Sequence, residues 1–266
     1  KYPKVNITVA VDRHRVWDDS YYNLLSNASF IDDVIDARYV DKKKFDKVVD
    51  ISAVCIPYER KGLPAINRIN LFARHLGINY LENPVPFLKI KEDEFLWARE
   101  KIKAAKIATS SLVISFSPSS NEEKRSWSKL QANSFIKSMI AKSPECLILL
   151  FDFHNIISEE NKSLRNVAVF SKTSVREMCS LIDQSHIYVG PDSGPMHIAG
   201  ALGKKCVALF GSIPPEARVN HYKHHKALTS TKVGCLGCWY EKCPYSIRCM
   251  DTIESSRVIQ EVLRSQ

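Results

Sequence analysis

Residues 188–215 read YVGPDSGPMHIAGALGKKCVALFGSIPP: an apolar run, a polar turn, a helical stretch and a second apolar run. The first run, from His186 to Gly190, reads as a strand. Ile198, Ala199 and Leu202 then mark a helix, and Lys205–Phe210 a further strand. Asp192 and Ser193 fall at the start of the helix, where backbone amides lack internal partners and the macrodipole is positive. Gly194 lets a ligand approach the backbone, and Pro195 starts the helix without wasting an amide. Met196 follows, and His197 projects from the first turn toward the same mouth. In an open parallel sheet this turn lies at the carboxyl edge, where ligands bind. The spacing predicts an anion site suited to phosphate or pyrophosphate. The competing reading is an ordinary capped helix with a satisfied histidine.

The same strand-then-helix rhythm extends outward in both directions. In the second half, strands are expected at Ser111–Phe116, Cys146–Phe151 and Val167–Phe170, with a helix over Ser128–Lys142. The two strands of the opening stretch are expected to be the last. Ser174-Val175-Arg176-Glu177 has the form of a capping box, followed by Met178, Cys179 and Ile182 on one face. In the first half, Val5–Val11, Asp33–Ala37 and Lys47–Ser52 read as strands, and Trp17–Leu25 as a helix. Pro64 opens a further helix that Gly77 closes. Two prolines in Asn83–Pro86 suggest a boundary, and a charged amphipathic stretch runs from Glu92 to Lys106. Strands alternating with helices predict an α/β fold with parallel sheets covered on both faces. The expected division is 1–86, a connecting helix over 87–110, and 111–266.

The bulk numbers fit this picture. A chain of 266 residues with 45% hydrophobic and 25% charged content has the composition of a folded globular protein. No apolar run approaches the roughly 20 residues of a membrane span, and the N-terminal stretch has no signal-peptide form. The formal charge of +9 favours an anionic partner. The basic residues are scattered, so a solvated basic surface is an equal reading, and a nucleic-acid partner has the weaker support. Neither a Rossmann glycine fingerprint nor a P-loop occurs, which leaves hydride transfer and ATP hydrolysis without a motif.

The run Asp192-Ser193-Gly194-Pro195-Met196-His197 continues with Ala199, Ala201-Leu202-Gly203 and Ala208-Leu209-Phe210-Gly211. It closely resembles the donor-site signature of glycosyltransferase family nine, the ADP-heptose:lipopolysaccharide heptosyltransferases. EEKRSW at 122–127 is similar to the family's segment in which a cation meets the donor phosphates. Arg125 is the closer match there and Lys124 the second. Ser171-Lys172-Thr173-Ser174 looks like the family's turn near the nucleotide base, which marks Thr173. Glu159 or Glu160 follows a strand where a family carboxylate accepts from ribose hydroxyls. The resemblance implies a GT-B type fold of two Rossmann-like domains with parallel sheets, the N-terminal one truncated. It also implies inverting transfer of a sugar, heptose among the candidates, from a nucleoside-diphosphate donor to a glycan, lipopolysaccharide or protein acceptor. The implied location is cytoplasmic, with contact at the inner membrane periphery.

Two features temper the resemblance. Inverting transfer needs a base to take the acceptor proton, and the family carries it on a glycine-rich N-terminal loop. No Gly-Asp pair occurs here, and Asp12, Asp18 and Asp19 do not match that position, so the catalytic base is unassigned. Asp192 would repel a diphosphate. It is therefore expected to cap amides, hold a cationic side chain or accept a sugar hydroxyl.

Cys235, Cys238, Cys243 and Cys249 crowd into fifteen residues ahead of a terminal helix at Glu254–Leu263. Four thiolates at this spacing can close a structural zinc or iron site. Reduced thiols or two disulfides are the alternatives. Related autotransporter heptosyltransferases carry a similar segment, in some cases with iron. Two rival functions remain: a non-catalytic nucleotide-sugar-binding module, and a metal-stapled basic protein that holds nucleic acid.

Overall fold

A computed structural model of the chain describes residues 5–12, 20–26, 28–105, 112–245 and 248–265. In chain order the elements begin with β1 (Thr8–Val11), α1 (Ser20–Leu25), β2 (Asp33–Asp36), α2 (Arg68–His75) and α3 (Glu92–Ala104). They continue with β3 (Leu112–Phe116), α4 (Lys129–Lys142), β4 (Cys146–Leu150), α5 (Glu159–Lys162), β5 (Val167–Val169) and α6 (Val175–Asp183). The last are β6 (Ile187–Pro191), α7 (Gly194–Ala201), β7 (Lys205–Phe210), β8 (His225–Thr229) and α8 (Ser255–Arg264).

β3 to β8 form one parallel sheet in the order β5-β4-β3-β6-β7-β8. The chain builds from β3 to one edge, then returns to lay β6 against the other side of β3. The growth direction reverses between these two strands. Side chains alternate between two apolar layers, as a pleated strand requires. Ile114, Ile148, Val189 and Leu209 join one layer with Phe135, Met139 and Val258 of α4 and α8. Val113, Leu149, Tyr188 and Phe210 join the other with Ala98, Ile182 and Ile198 of α3, α6 and α7. Strands covered on both faces read as continuous apolar runs, and the sequence shows these strands for that reason. α3, expected as a connector, packs on α6. There Arg176 pairs with Glu94 and donates through Nη2 to the Lys89 carbonyl at 2.8 Å. No helix among the described residues is long and apolar enough to cross a membrane.

β1 and β2 pair in parallel as a separate two-stranded sheet. Most large apolar side chains left exposed belong to this first part, Phe30 and Phe87 among them. The strand expected at Lys47–Ser52 does not form; the segment is irregular and runs into a turn. Asp50 accepts from Ser52 N at 2.9 Å and from Ser52 Oγ at 2.6 Å, a local bond that competes with a ladder. Val5–Val11 shortens to Thr8–Val11. The helix expected from Pro64 begins at Arg68 instead, because the Asn67 side chain caps it by accepting from Ile69 N. Gly77 closes it as expected, in the left-handed region at φ 73°. Trp17, Asp18, Asp19, Lys106 and Ser111, which the sequence pattern places in elements or among the early carboxylates, lie outside the described residues.

The sheet also has a strand the sequence did not signal. β8 pairs only with β7, and its sequence HKALT keeps a single buried residue, Leu228. An edge strand half in water carries no apolar run, and so this one escapes a pattern search.

Gly190, one residue before the end of β6, is held close to the β3 loop. A Cβ there would lie 2.3 Å from Tyr188 Oη and 2.5 Å from the Ser117 carbonyl oxygen, whereas one at Gly194 would meet nothing within 4 Å. Gly190→Ala should therefore destabilise the fold by about 1–3 kcal/mol, and Gly194→Ala should stay within about 0.5 kcal/mol of the parent. Urea unfolding of the two variants checks the contrast.

Candidate functional site

The loop after β3 is fixed by Trp127. Its indole is 1% exposed and packs on Phe116 and Phe135, and its Nε1 donates to the Ile253 carbonyl at 2.9 Å. Trp127 N donates to the Pro118 carbonyl at 3.0 Å, and Ser126 Oγ accepts from Ser120 N at 3.0 Å. A short helical turn at 123–125 is thereby held at the carboxyl end of β3. From it Arg125 reaches across to the end of β6. Its Nη1 donates to the Asp192 carbonyl oxygen at 2.9 Å and to Asp192 Oδ2 at 3.2 Å. Lys124 turns instead to Glu122, 3.1 Å away, which also holds Arg125 Nη2 at 2.8 Å. Of the two expected cations, Arg125 is the one at the reversal point of the sheet.

Asp192 is 2% exposed. Besides Arg125, its carboxylate meets Arg218 Nε at 3.6 Å and His197 Nε2 at 3.7 Å. Burial alone would raise its pKa. The nearby His197 ring and the charges of Arg218 and Arg125 outweigh that and hold it below its ordinary value. Of the three roles expected for Asp192, holding a cationic side chain is the one seen. Arg218, itself buried, also pairs through Nη1 with Glu59 at 3.1 Å, and Glu59 grips Arg68 with both carboxylate oxygens. A chain of alternating charge thus runs Arg125–Asp192–Arg218–Glu59–Arg68, from the sheet edge to the first part of the molecule.

At the start of α7, Ser193 gives no side-chain cap; its hydroxyl donates to the Pro191 carbonyl at 3.2 Å. Gly194 borders open space and Pro195 sits in the first turn. The helix start therefore keeps its positive end unneutralised by its own cap. His197, its side chain 39% exposed, lies at this mouth with Nδ1 3.1 Å from Tyr222 Oη. Met196 is not at the mouth. It is fully buried in the apolar layer under α7. Glu159 begins α5 and pairs with Lys162 at 3.0 Å, Glu160 pairs with Lys137, and Thr173 donates to the Phe170 carbonyl at 3.2 Å. These three follow β4 and β5, farther along the same sheet edge, and make no bond to the Arg125–Asp192 pair.

A cluster of rings adjoins His197. Tyr222 stacks on His225 at 4.6 Å and lies 3.9 Å from His221, whose Nδ1 is 3.1 Å from Asn67 Nδ2. Burial, first of all, pushes both His221 and His225 down to about 4. Beside them a cavity of about 640 Å³ opens at the ends of β7 and β8, lined by Ile213, Pro214, Tyr222, His225 and Thr229 among others. Arg125 and Asp192 do not line it.

All four cysteines of the late cluster are free thiols. Burial raises the Cys249 thiol to about 11, and the neighbouring Cys238, Cys235 and Cys243 add to the rise, so the four share one neighbourhood. Yet among the described residues no three His, Cys, Asp or Glu side chains are disposed to hold a metal ion. The geometry does not show the expected zinc or iron site at Cys235, Cys238, Cys243 and Cys249. The loop is fastened by backbone bonds: Gly237 N to the Gly211 carbonyl at 3.0 Å and Trp239 N to the Ser212 carbonyl at 2.9 Å. Trp239 lies under the Arg218 guanidinium, and Tyr240 Oη accepts from Lys61 Nζ at 2.8 Å. Glu59, Arg68, Arg218 and the ring cluster carried no sequence signal. Each is an ordinary residue in an unremarkable local context, and only the tertiary fold assembles them.

The model of glycosyltransferase family 9 (heptosyltransferase) matches residues 55–247. Lipooligosaccharide heptosyltransferase 2 of Campylobacter jejuni serotype O:6 is 27% identical over 112 residues, 42% of this chain and 35% of that protein. Lipopolysaccharide heptosyltransferase 1 of Campylobacter coli is 28% identical over 163 residues, 54% of this chain and 47% of that protein. The matches thus span about a third to a half of these curated relatives. A solved glycosyl transferase family 9 structure from Veillonella parvula superposes with a TM-score of 0.72 at 14% identity, covering 98% of this chain and 88% of that one. The E. coli ADP-heptose LPS heptosyltransferase II structure gives 0.65 at 16% identity, covering 99% and 90%. These likenesses establish the fold, that of GT-B type proteins.

The two depressed histidines fix a pH response. Their folded pKa values of about 4 lie below the ordinary 6.5, so below pH 6.5 the unfolded chain takes up protons that the folded one refuses. Stability should then fall as pH drops from 6.5 toward 4. His225→Phe, which keeps the stack on Tyr222, should make that fall shallower in urea midpoints measured across the window.

Proposed function

Because this chain belongs to glycosyltransferase family 9, we propose that it binds the diphosphate of a nucleotide-sugar donor between Arg125 and the start of α7. From there it transfers the sugar, with inversion, to a hydroxyl of a glycan, lipid-linked saccharide or protein acceptor. The observation that carries this reading is the position of Arg125 and residues 192–197. They meet where β3 and β6 diverge, at the carboxyl edge, where open α/β sheets take their ligands.

As the bond from the anomeric carbon to the diphosphate breaks, negative charge grows on the leaving phosphate. A guanidinium and the positive end of a helix, already in place, stabilise that charge without reorganising. Arg125 suits this task because Trp127 fixes its loop and one of its nitrogens is already bound at Asp192. His197, half-exposed at the same mouth, is a further donor toward phosphate or sugar oxygens. Glu159 and Thr173, beyond β4 and β5, lie along the edge on which the ribose and base would extend. Met196 serves by filling the core beneath α7. The names of the family and of the Campylobacter relatives support heptose as the sugar and a lipopolysaccharide or lipooligosaccharide as the acceptor, and that of the E. coli structure supports ADP-heptose as the donor. No residue is assigned as the base. Asp12, just after β1, is the only one of the three early carboxylates among the described residues.

Titration calorimetry with ADP tests the donor site without needing an acceptor. Arg125→Ala should weaken binding by about tenfold or more, the loss expected for a charge-assisted bond to phosphate. Lys124→Ala should weaken it less. Gly194→Ala, which leaves the fold intact, should also weaken it by placing a methyl group where the phosphates approach. Equal ADP affinity in Arg125→Ala and the parent would sink the reading.

A further inference from the structure

We propose that Arg218 is a positioning residue for the donor diphosphate: by offsetting the charge of Asp192 from its buried side, it leaves Arg125, itself bonded to Asp192, with a net positive charge to offer the phosphates. The inference rests on the donor site described above and adds to it a residue that makes no contact with the donor.

A carboxylate at the mouth of a diphosphate site works against binding unless its charge is cancelled, and one that is cancelled only by Arg125 would consume the cation meant for the ligand. Here the carboxylate is shared. Arg125 Nη1 approaches Oδ2 at 3.2 Å and Arg218 Nε approaches the same oxygen at 3.6 Å. The two arginines differ in access. The Arg125 side chain is 20% exposed and that of Arg218 only 5%, so Arg218 lies on the protein side of Asp192 and Arg125 on the solvent side.

Arg218 is held there from three directions. Glu59 of the first part of the chain pairs with its Nη1 at 3.1 Å, its own residue's neighbour Ala217 accepts from the same nitrogen at 3.3 Å, and the Trp239 ring lies 5.3 Å from its guanidinium carbon. Glu59 is in turn fixed by the two-pronged grip of Arg68. A planar fork can serve two carboxylates at once, which a lysine ammonium cannot do in the same geometry. Around this group four cations (Lys124, Arg125, Arg218, Arg68) face three carboxylates (Glu122, Asp192, Glu59). The surplus of one positive charge exists only while Arg218 is present. Without Arg218, the charge of Arg125 is matched in full by Asp192, and the group offers the phosphates no net positive charge.

The test is ADP affinity by calorimetry, with folding checked by circular dichroism and urea unfolding. ADP lacks the sugar, so a contact between Asp192 and a sugar hydroxyl does not enter the reading. Arg218→Gln should weaken ADP binding by about tenfold, Arg218→Lys by less. The decisive variant is Arg218→Gln combined with Asp192→Asn. If Arg218 acts by cancelling the charge of Asp192, removing that charge restores most of the lost affinity. A double variant as weak as Arg218→Gln alone, or an Arg218→Gln protein that binds like the parent, overturns the proposal. Should Arg218→Gln fail to fold, the same comparison made in the Arg218→Lys background decides it. A parent that binds no ADP would overturn the donor-site reading itself, a different outcome from either.

Discussion

A parallel sheet that grows first to one side and then to the other leaves a gap where its growth reverses, because the loops leaving the two central strands turn away from each other. In this chain the gap lies between β3 and β6. What occupies its mouth follows from the residues that end those two strands: Arg125, on a loop pinned by the buried Trp127, and Asp192, at the start of α7. The close approach of Gly190 to the β3 loop brings the two ends together. The placement of the charged groups therefore depends on tight packing one layer below them.

The electrostatics follow from that packing. A carboxylate as buried as Asp192 persists in charged form only with cations against it, and it has Arg125 and Arg218. Because Arg218 is shared with Glu59, the same pairing also ties the sheet edge to the first part of the chain, which has only a small sheet of its own. The ring cluster of Tyr222, His221 and His225 extends the tie, with Asn67 at its far end.

Much of this was legible in the sequence, for identifiable reasons. Strands covered on both faces announce themselves as apolar runs, so β3, β4, β6 and β7 could be read directly, as could the capping box that starts α6. The turn from Pro191 into α7 was legible because strand, polar turn and helix follow at fixed spacing. Elements at the periphery were not. β8 touches a single neighbour, and the segment at 47–52 looked like a strand until the Asp50 side chain captured its own backbone. Long-range charge pairs were invisible: nothing in the local sequence of Glu59 or Arg218 indicates that they meet across more than 150 residues. The cysteine cluster was legible as a spacing but not as a loop. Its spacing suits a metal, while its loop is closed by backbone bonds to Gly211 and Ser212.

The most direct measurement is a crystal structure of the chain with bound ADP. The β-phosphate should lie within hydrogen-bonding distance of an Arg125 guanidinium nitrogen and of the backbone at Ser193 or Gly194, with the adenosine running toward Glu159 and Thr173. Phosphates lodged instead in the cavity between the ends of β7 and β8, with Arg125 still closed on Asp192, would contradict it.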